Sequence, residues 1–259
     1  MSELFTVNNL IALVTLAVLE IVLGIDNIVF VAIMTNRLPK EQQAKARRLG
    51  LGAAMGTRIL LLLGINWVIH LTKPLFTVWT REFSGRDLVL IFGGLFLMAK
   101  ATYEVRDEVE EQKYGHDPVK PVKSLGSAIV QIGLLDIIFS LDSVITAVGM
   151  AESVVVMITA IMIAVGIMLV FSAPVSKFIE SNPTMKMLAL SFLILIGVTL
   201  VAEGLGNHVS KGYIYFAMGF SLGVELLNLK LRKKHDRLAQ MQPIAPLTQP
   251  DTDMEQKED

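Results

Sequence analysis

The chain has 259 residues, of which 53% are hydrophobic and 18% charged, with a formal net charge of −1 and no cysteine. Its mean hydropathy is +0.58. Such a composition excludes an ordinary soluble domain, and the missing cysteines exclude disulfides and thiolate metal sites.

The apolar residues fall in seven blocks, at roughly 9–34, 48–71, 87–103, 124–149, 153–174, 186–204 and 212–229. About 20 apolar residues cross a bilayer as a helix, so the expected fold is an all-α polytopic membrane protein with seven transmembrane helices. The first block has no Lys or Arg ahead of it and no small-residue cleavage site after it. It is therefore expected to stay in the protein rather than act as a signal peptide.

Block one contains "LEIVLGIDNIVFVAIM", residues 19–34, with Glu20 and Asp26 at membrane depth. A charged residue there costs roughly 2.5–3.5 kcal/mol on insertion scales and is a functional candidate by default. Block two carries Arg58, whose expected role is an ion pair with one of the acids, together with a small-residue face at Gly52 and Gly56. Block three holds Gly93 and Gly94, a second small-residue face, and ends near Lys100, which is expected to snorkel. The following "EVRDEVEEQKYGHDPVKPVK" mixes both signs and reads as a solvated loop.

Block four repeats block one. "LDIIFSLDSVITAVGM", residues 135–150, sets Asp136 over Glu20, Asp142 over Asp26 and Ser143 over Asn27, at a constant offset of 116. A weaker echo joins "GLFLMAK" of block three to "GVTLVAE" of block six, which ends at Glu203, a candidate vestibule residue. The plan is two three-helix halves plus a seventh helix. Because three is odd, the second half enters from the opposite face, as in the inverted repeats of secondary transporters. The expected divisions are 1–123, 124–211, the seventh helix at 212–234 and a disordered polar tail at 235–259.

Seventeen of the 23 Lys and Arg lie in the loops after blocks one, three and five and in the tail, and four lie in the opposite loops. Short cytoplasmic loops collect positive charge, so the N-terminus is expected outside and the C-terminus in the cytoplasm.

On a helix, positions seven apart share a face and positions six apart do not. Glu20 therefore aligns with Asn27 and Asp136 with Ser143, while Asp26 and Asp142 point elsewhere. A break at Gly24 or Ser140 would let the acids of one helix converge; a straight helix is equally compatible with the sequence. Glu20, Asp26, Asn27, Asp136, Asp142 and Ser143 make an all-oxygen ligand set, which suits a hard divalent cation. Four carboxylates and Arg58 leave −3, so a divalent ion and a proton could compete for the cluster in cation/H⁺ exchange. The four His form no cluster, and no catalytic pair, phosphate loop or haem ligand is present. No enzyme, no resident cofactor and no nucleic-acid partner is expected.

At "LEIVLGIDNIVF", "LLDIIFSLDSV", "RRLGLGAAMGTR" and "IFGGLFLMAKA" the chain resembles the TerC family of integral membrane proteins, over about residues 8–230. The resemblance implies a fold similar to the LysE-type exporter superfamily, a bacterial cytoplasmic membrane location, a link to tellurite resistance and export of manganese. It carries over Asp26 and Asp142, with Asn27, Glu20 and Asp136, as site residues, and no extra cytoplasmic domain. Expected partners are a divalent ion and lipid; the oligomeric state stays open, with a homodimer among the options. Two other readings remain: a proton-coupled exporter of another solute, and a non-transporting component of a tellurite or metal-stress complex.

Overall fold

The computed structural model describes residues 6–114, 124–151 and 153–241, apart from the side chains of Ile25, Asp26, 111–114, Asp142, Lys233 and 235–241. The elements in order are α1 (Val7–Asn36), α2 (Lys40–Leu63), α3 (Ile65–Leu71), β1 (Pro74–Val78), β2 (Arg81–Ser84), α4 (Gly85–Tyr114), α5 (Leu125–Met150), α6 (Val154–Glu180), α7 (Pro183–Gly204) and α8 (Lys211–Met241). Long apolar runs become helices because only a helix satisfies every backbone group of a single segment inside lipid. Local signals set their starts. The Thr6 hydroxyl accepts the Asn9 N–H at 3.3 Å, and the Ser124 hydroxyl accepts the Ser127 N–H at 3.2 Å. Ser84 and Asp87 form a reciprocal cap at the start of α4, with Ser84 N–H to Asp87 Oδ2 at 2.9 Å and Asp87 N–H to Ser84 Oγ at 3.2 Å. Pro183 opens α7, where a missing N–H costs nothing.

Among the described residues five helices are long and apolar enough to cross a membrane, and two bent pairs bring the total to seven. One bent pair is α2 with α3, which turn by 81° at Gly64. The other lies within α5, whose Leu125–Leu141 and Ser143–Met150 segments differ in direction by 43°. In contrast, α1 runs through Gly24 as one helix. Gly24 serves packing: a Cβ there would lie 2.6 Å from the Met168 sulfur of α6.

The principal helix pairs are α1 with α6, α2 with α5, and α4 with α7. The α4–α7 pair meets backbone to backbone. A Cβ on Gly94 would sit 2.6 Å from the Gly197 carbonyl oxygen, one on Gly197 would sit 2.9 Å from the Gly94 carbonyl oxygen, and one on Gly204 would sit 2.7 Å from that of Asp87. Gly93 lies instead against Ile138 of α5. The expected small-residue face at Gly52 and Gly56 is not a packed one: a Cβ at either would meet nothing within 4 Å, and the close contact of α2 is at Gly50, against Ile132.

Three further features depart from the sequence reading. Residues 74–84, between the second and third apolar blocks, form an antiparallel hairpin pairing Phe76 with Phe83 and Val78 with Arg81. Phe76 and Phe83 stack at 5.6 Å between ring centroids, and Trp79 takes a φ of 59° at the turn. The mixed-charge segment after block three continues α4 as far as Tyr114, while 115–123 lies outside the described residues. The expected tail begins later than 235, since α8 runs to Met241; 242–259 lies outside the described residues. The chain divides into two units, Met1–Tyr215 and Phe216–Asp259. In the second, Phe216 stacks on Phe220 one turn along α8, with ring centroids 6.4 Å apart.

The α4–α7 contact leaves no room for a methyl group. Gly94→Ala is expected to lower stability by about 1–3 kcal/mol, as overpacking does. Gly52→Ala faces open space and is expected to be neutral or to stabilise by roughly 0.5–1 kcal/mol through helix propensity. Thermal melting of the two purified variants in detergent checks the contrast, and equal melting temperatures would contradict the packing.

Candidate functional site: a buried arginine between two acidic helices

Three helices place one cation between two anions. Arg58 of α2, Glu20 of α1 and Asp136 of α5 are 2%, 3% and 2% exposed. The guanidinium pairs with Glu20 through Nη1. It reaches Asp136 through Nη2 at 2.8 Å and Nε at 3.0 Å, both to Oδ1. Arg suits this place because its fixed planar fork holds two carboxylates at once and stays charged when buried.

Asp136 is the most heavily bonded member. Its Oδ1 also accepts from Asn27 Nδ2 at 3.1 Å. Its Oδ2 accepts from Ser140 Oγ at 3.1 Å and lies 3.2 Å from Thr57 Oγ1. Glu20 and Asn27, seven residues apart, both face this cluster, as the helical period requires. Ser143, seven after Asp136, donates its hydroxyl to the Ser140 carbonyl oxygen at 3.3 Å and is buried. The cluster thus ties α1, α2 and α5 together with hydrogen-bonding capacity largely filled, the condition under which buried ions are tolerable.

This bonding divides the sequence-predicted site residues into two classes. Glu20 and Asp136 are held by Arg58. Asn27 donates to Asp136 and Ser143 to the Ser140 carbonyl oxygen, so each spends a donor here while its oxygen retains lone pairs. The side chains of Asp26 and Asp142 lie outside the described residues. Their backbones place Asp26 beside Asn27 in α1, and Asp142 at the bend of α5, between Leu141 and Ser143. Among the described residues, no three His, Asp or Glu side chains gather in a group that could hold a metal.

Sequence reasoning missed two sets of residues. Thr57 and Ser140 contact Asp136, and each was legible as a polar residue one position from Arg58 or one turn from Asp136. At the other end, Glu104 and Glu108 are buried rather than solvated. They continue the buried stripe of Leu97 and Ala101 at helical spacing along α4. Glu104 pairs with Arg37 and Lys100, Asp107 with Arg37 at 2.8 Å, and Glu108 with Lys186. Lys100 therefore bonds within its own helix end, and Glu203 pairs with Arg86 at 2.8 Å.

A sequence model of the integral membrane protein TerC family matches residues 5–237. The chain is 54% identical over 223 residues to a UPF0053 protein of Haemophilus influenzae, covering 86% of this chain and 94% of that one. It is 54% identical over 228 residues to the UPF0053 inner membrane protein YgdQ of Escherichia coli K12, covering 88% and 95%. It is 48% identical over 236 residues to the UPF0053 inner membrane protein YoaE of the same organism, covering 91% of this chain and 46% of the longer relative. No solved structure matches the chain.

Removing the cation alone strands two buried carboxylates. Arg58→Met is expected to cost about 3–5 kcal/mol, the range for breaking a buried pair from one side. Adding Glu20→Gln and Asp136→Asn to it should recover most of that loss, because the stranded charges go too. Thermal melting and detergent-stable yield of the single and triple variants check this; a triple variant no better than Arg58→Met would contradict it.

Proposed function

The chain belongs to the TerC family of integral membrane proteins, and we propose that it exports a divalent metal cation, Mn²⁺ foremost, across a bacterial inner membrane through an acidic site midway along α1 and α5. The observation that carries this reading is the Arg58 bridge between Glu20 and Asp136. It fixes two carboxylates as permanent counter-charges and leaves Asp26 and Asp142, with Asn27 Oδ1 and Ser143 Oγ, as the ligand set. That set is all oxygen and carries excess negative charge, which favours a hard divalent cation and repels an oxyanion. The manganese association of the family selects Mn²⁺ among such ions. Relatives named as inner membrane proteins support the location.

The helix pairing supports a 3+3 inverted repeat. Exchanging α1, α2 and α4 for α5, α6 and α7 turns the α1–α6 pair into α5–α2 and returns α4–α7 to itself. Gly94 and Gly197, which touch across that last pair, also align in the echo between "GLFLMAK" and "GVTLVAE". A pseudo-two-fold axis through the α4–α7 contact would bring Asp26 and Asp142 to equivalent depths from opposite sides, the plan of midplane transporter sites. The distribution of Lys and Arg supports an outer N-terminus and a cytoplasmic C-terminus. The hairpin end then faces outward, and the ends of α1 and α4 that carry Arg37 and Glu104 face the cytoplasm.

With Arg58 in place the site carries −3 with all acids ionised, −1 with a divalent ion bound, and neutrality with one proton more. Cation and proton therefore compete, which makes exchange the natural coupling.

Uptake of Mn²⁺ into inside-out vesicles tests the reading. Wild type is expected to show saturable uptake with alkalinisation of the vesicle interior. Asp26→Asn and Asp142→Asn should each reduce uptake to the level of empty vesicles while melting like wild type. Equal uptake in all three would overturn the proposal.

A further inference from the structure

We infer that two adjoining cavities at the hairpin end form the outer portal of the acidic site, and that Glu203, held by Arg86, is the residue that captures the cation where the two meet. The inference rests on the transport reading above.

The first cavity is an open cleft of about 660 Å³. It is walled by Glu82 and Ser84 of the hairpin, Arg86 and Asp87 of α4, His208 of the α7–α8 connection and Lys211 at the start of α8. The second is an inner space of about 90 Å³, with room for only a few waters. Its walls include Leu23 of α1, Ile138 and Phe139 of α5 and Thr199 of α7. Glu203, Val209 and Lys211 line both.

The inner cavity reaches residues close in sequence to the acids. Leu23 lies three residues from both Glu20 and Asp26, which is less than one helical turn. On α5, Phe139 lines the inner cavity and Ile145 lines the cleft, and Asp142 lies midway between them. The bend of α5 falls between those same two wall residues. An ion moving from one cavity to the other therefore passes the level of Asp142.

Charge singles out Glu203 at the junction. The cleft brings Glu82, Asp87 and Glu203 against Arg86 and Lys211, an excess of one negative. Asp87 is engaged in capping α4 through Ser84. Glu203 is 17% exposed and pairs with Arg86, 21% exposed, at 2.8 Å. A partly desolvated carboxylate is stabilised by a neighbouring cation. Arg86 supplies it when no metal is present, and a divalent ion can displace the guanidinium. Arg58, by contrast, is fully buried and stays on Glu20 and Asp136 at the deeper level.

The chain has no cysteine, so a single introduced thiol reports without background. A membrane-impermeant thiol reagent is added from the hairpin side of right-side-out vesicles carrying Thr199→Cys, with Val170→Cys, on an open face of α6 and 72% exposed, as the lipid-facing control. Thr199→Cys is expected to react several-fold faster than Val170→Cys and to be slowed by Mn²⁺. Adding Arg86→Gln should speed the reaction. Adding Glu203→Gln should abolish Mn²⁺ protection, and Glu203→Asp should keep it. Labelling of Thr199→Cys no faster than the control, or Mn²⁺ protection indifferent to Glu203, would overturn the portal. Failure of the two readings is separable. Intact Mn²⁺ flux without labelling removes the portal alone; Glu203-dependent protection without flux removes the transport reading alone.

Discussion

Charge in a low-dielectric interior must be balanced where it stands. That constraint governs the middle of this molecule. Arg58, Glu20 and Asp136 come from three different helices, so the balance is met only when α1, α2 and α5 are in register. Asn27, Thr57 and Ser140 then fill the remaining acceptor capacity of Asp136. Apolar packing between membrane helices is nearly indifferent to register, since lipid is as apolar as Leu. A buried ion cluster is not indifferent: a shift of one turn would separate charges that cannot be rehydrated. The cluster specifies the arrangement more than it stabilises it.

Ion pairs also tie the two ends of the first unit, by different means. At the end carrying Arg37, charges from α4 meet partners on the end of α1 and the start of α7, with Glu104 and Glu108 buried beneath them. At the hairpin end Arg86 of α4 bridges to Glu203 of α7, beside an open cleft. One end is closed by buried salt bridges and the other opens onto a solvent-sized space.

Much of this was legible in the residues. The seven apolar blocks all became helices, because block length and the ban on unpaired backbone in lipid leave little choice. The offset repeat located the acids, and the lone mid-helix Arg58 announced its ion pair. What escaped has physical reasons. "EVRDEVEEQ" is polar enough to read as solvated loop, and only its spacing from Leu97 and Ala101 reveals that Glu104 and Glu108 prolong a buried stripe. The hairpin at 74–84 carries an aromatic and β-branched pattern, but its turn holds Trp79 at positive φ instead of the usual Gly or Asn. Gly52 and Gly56, four apart on α2, read as a packing face no less than the adjacent Gly93 and Gly94 on α4. Which glycines touch a neighbour depends on helix rotation, which local sequence does not encode. Gly24 left a break or a straight helix open; α1 runs through it unbroken, and the room its missing Cβ leaves is taken by Met168.

The glycine seam between α4 and α7 has a mechanical consequence. Two backbones in direct contact at Gly94, Gly197 and Gly204 cannot slide or roll past each other without carbonyl oxygens colliding. That pair behaves as a stator. The α1–α6 and α2–α5 pairs are joined through side chains, including the thioether of Met168, which yields easily. Under the proposed transport reading, any rocking that moves a cargo would fall to those four helices, with α4 and α7 as the fixed pair.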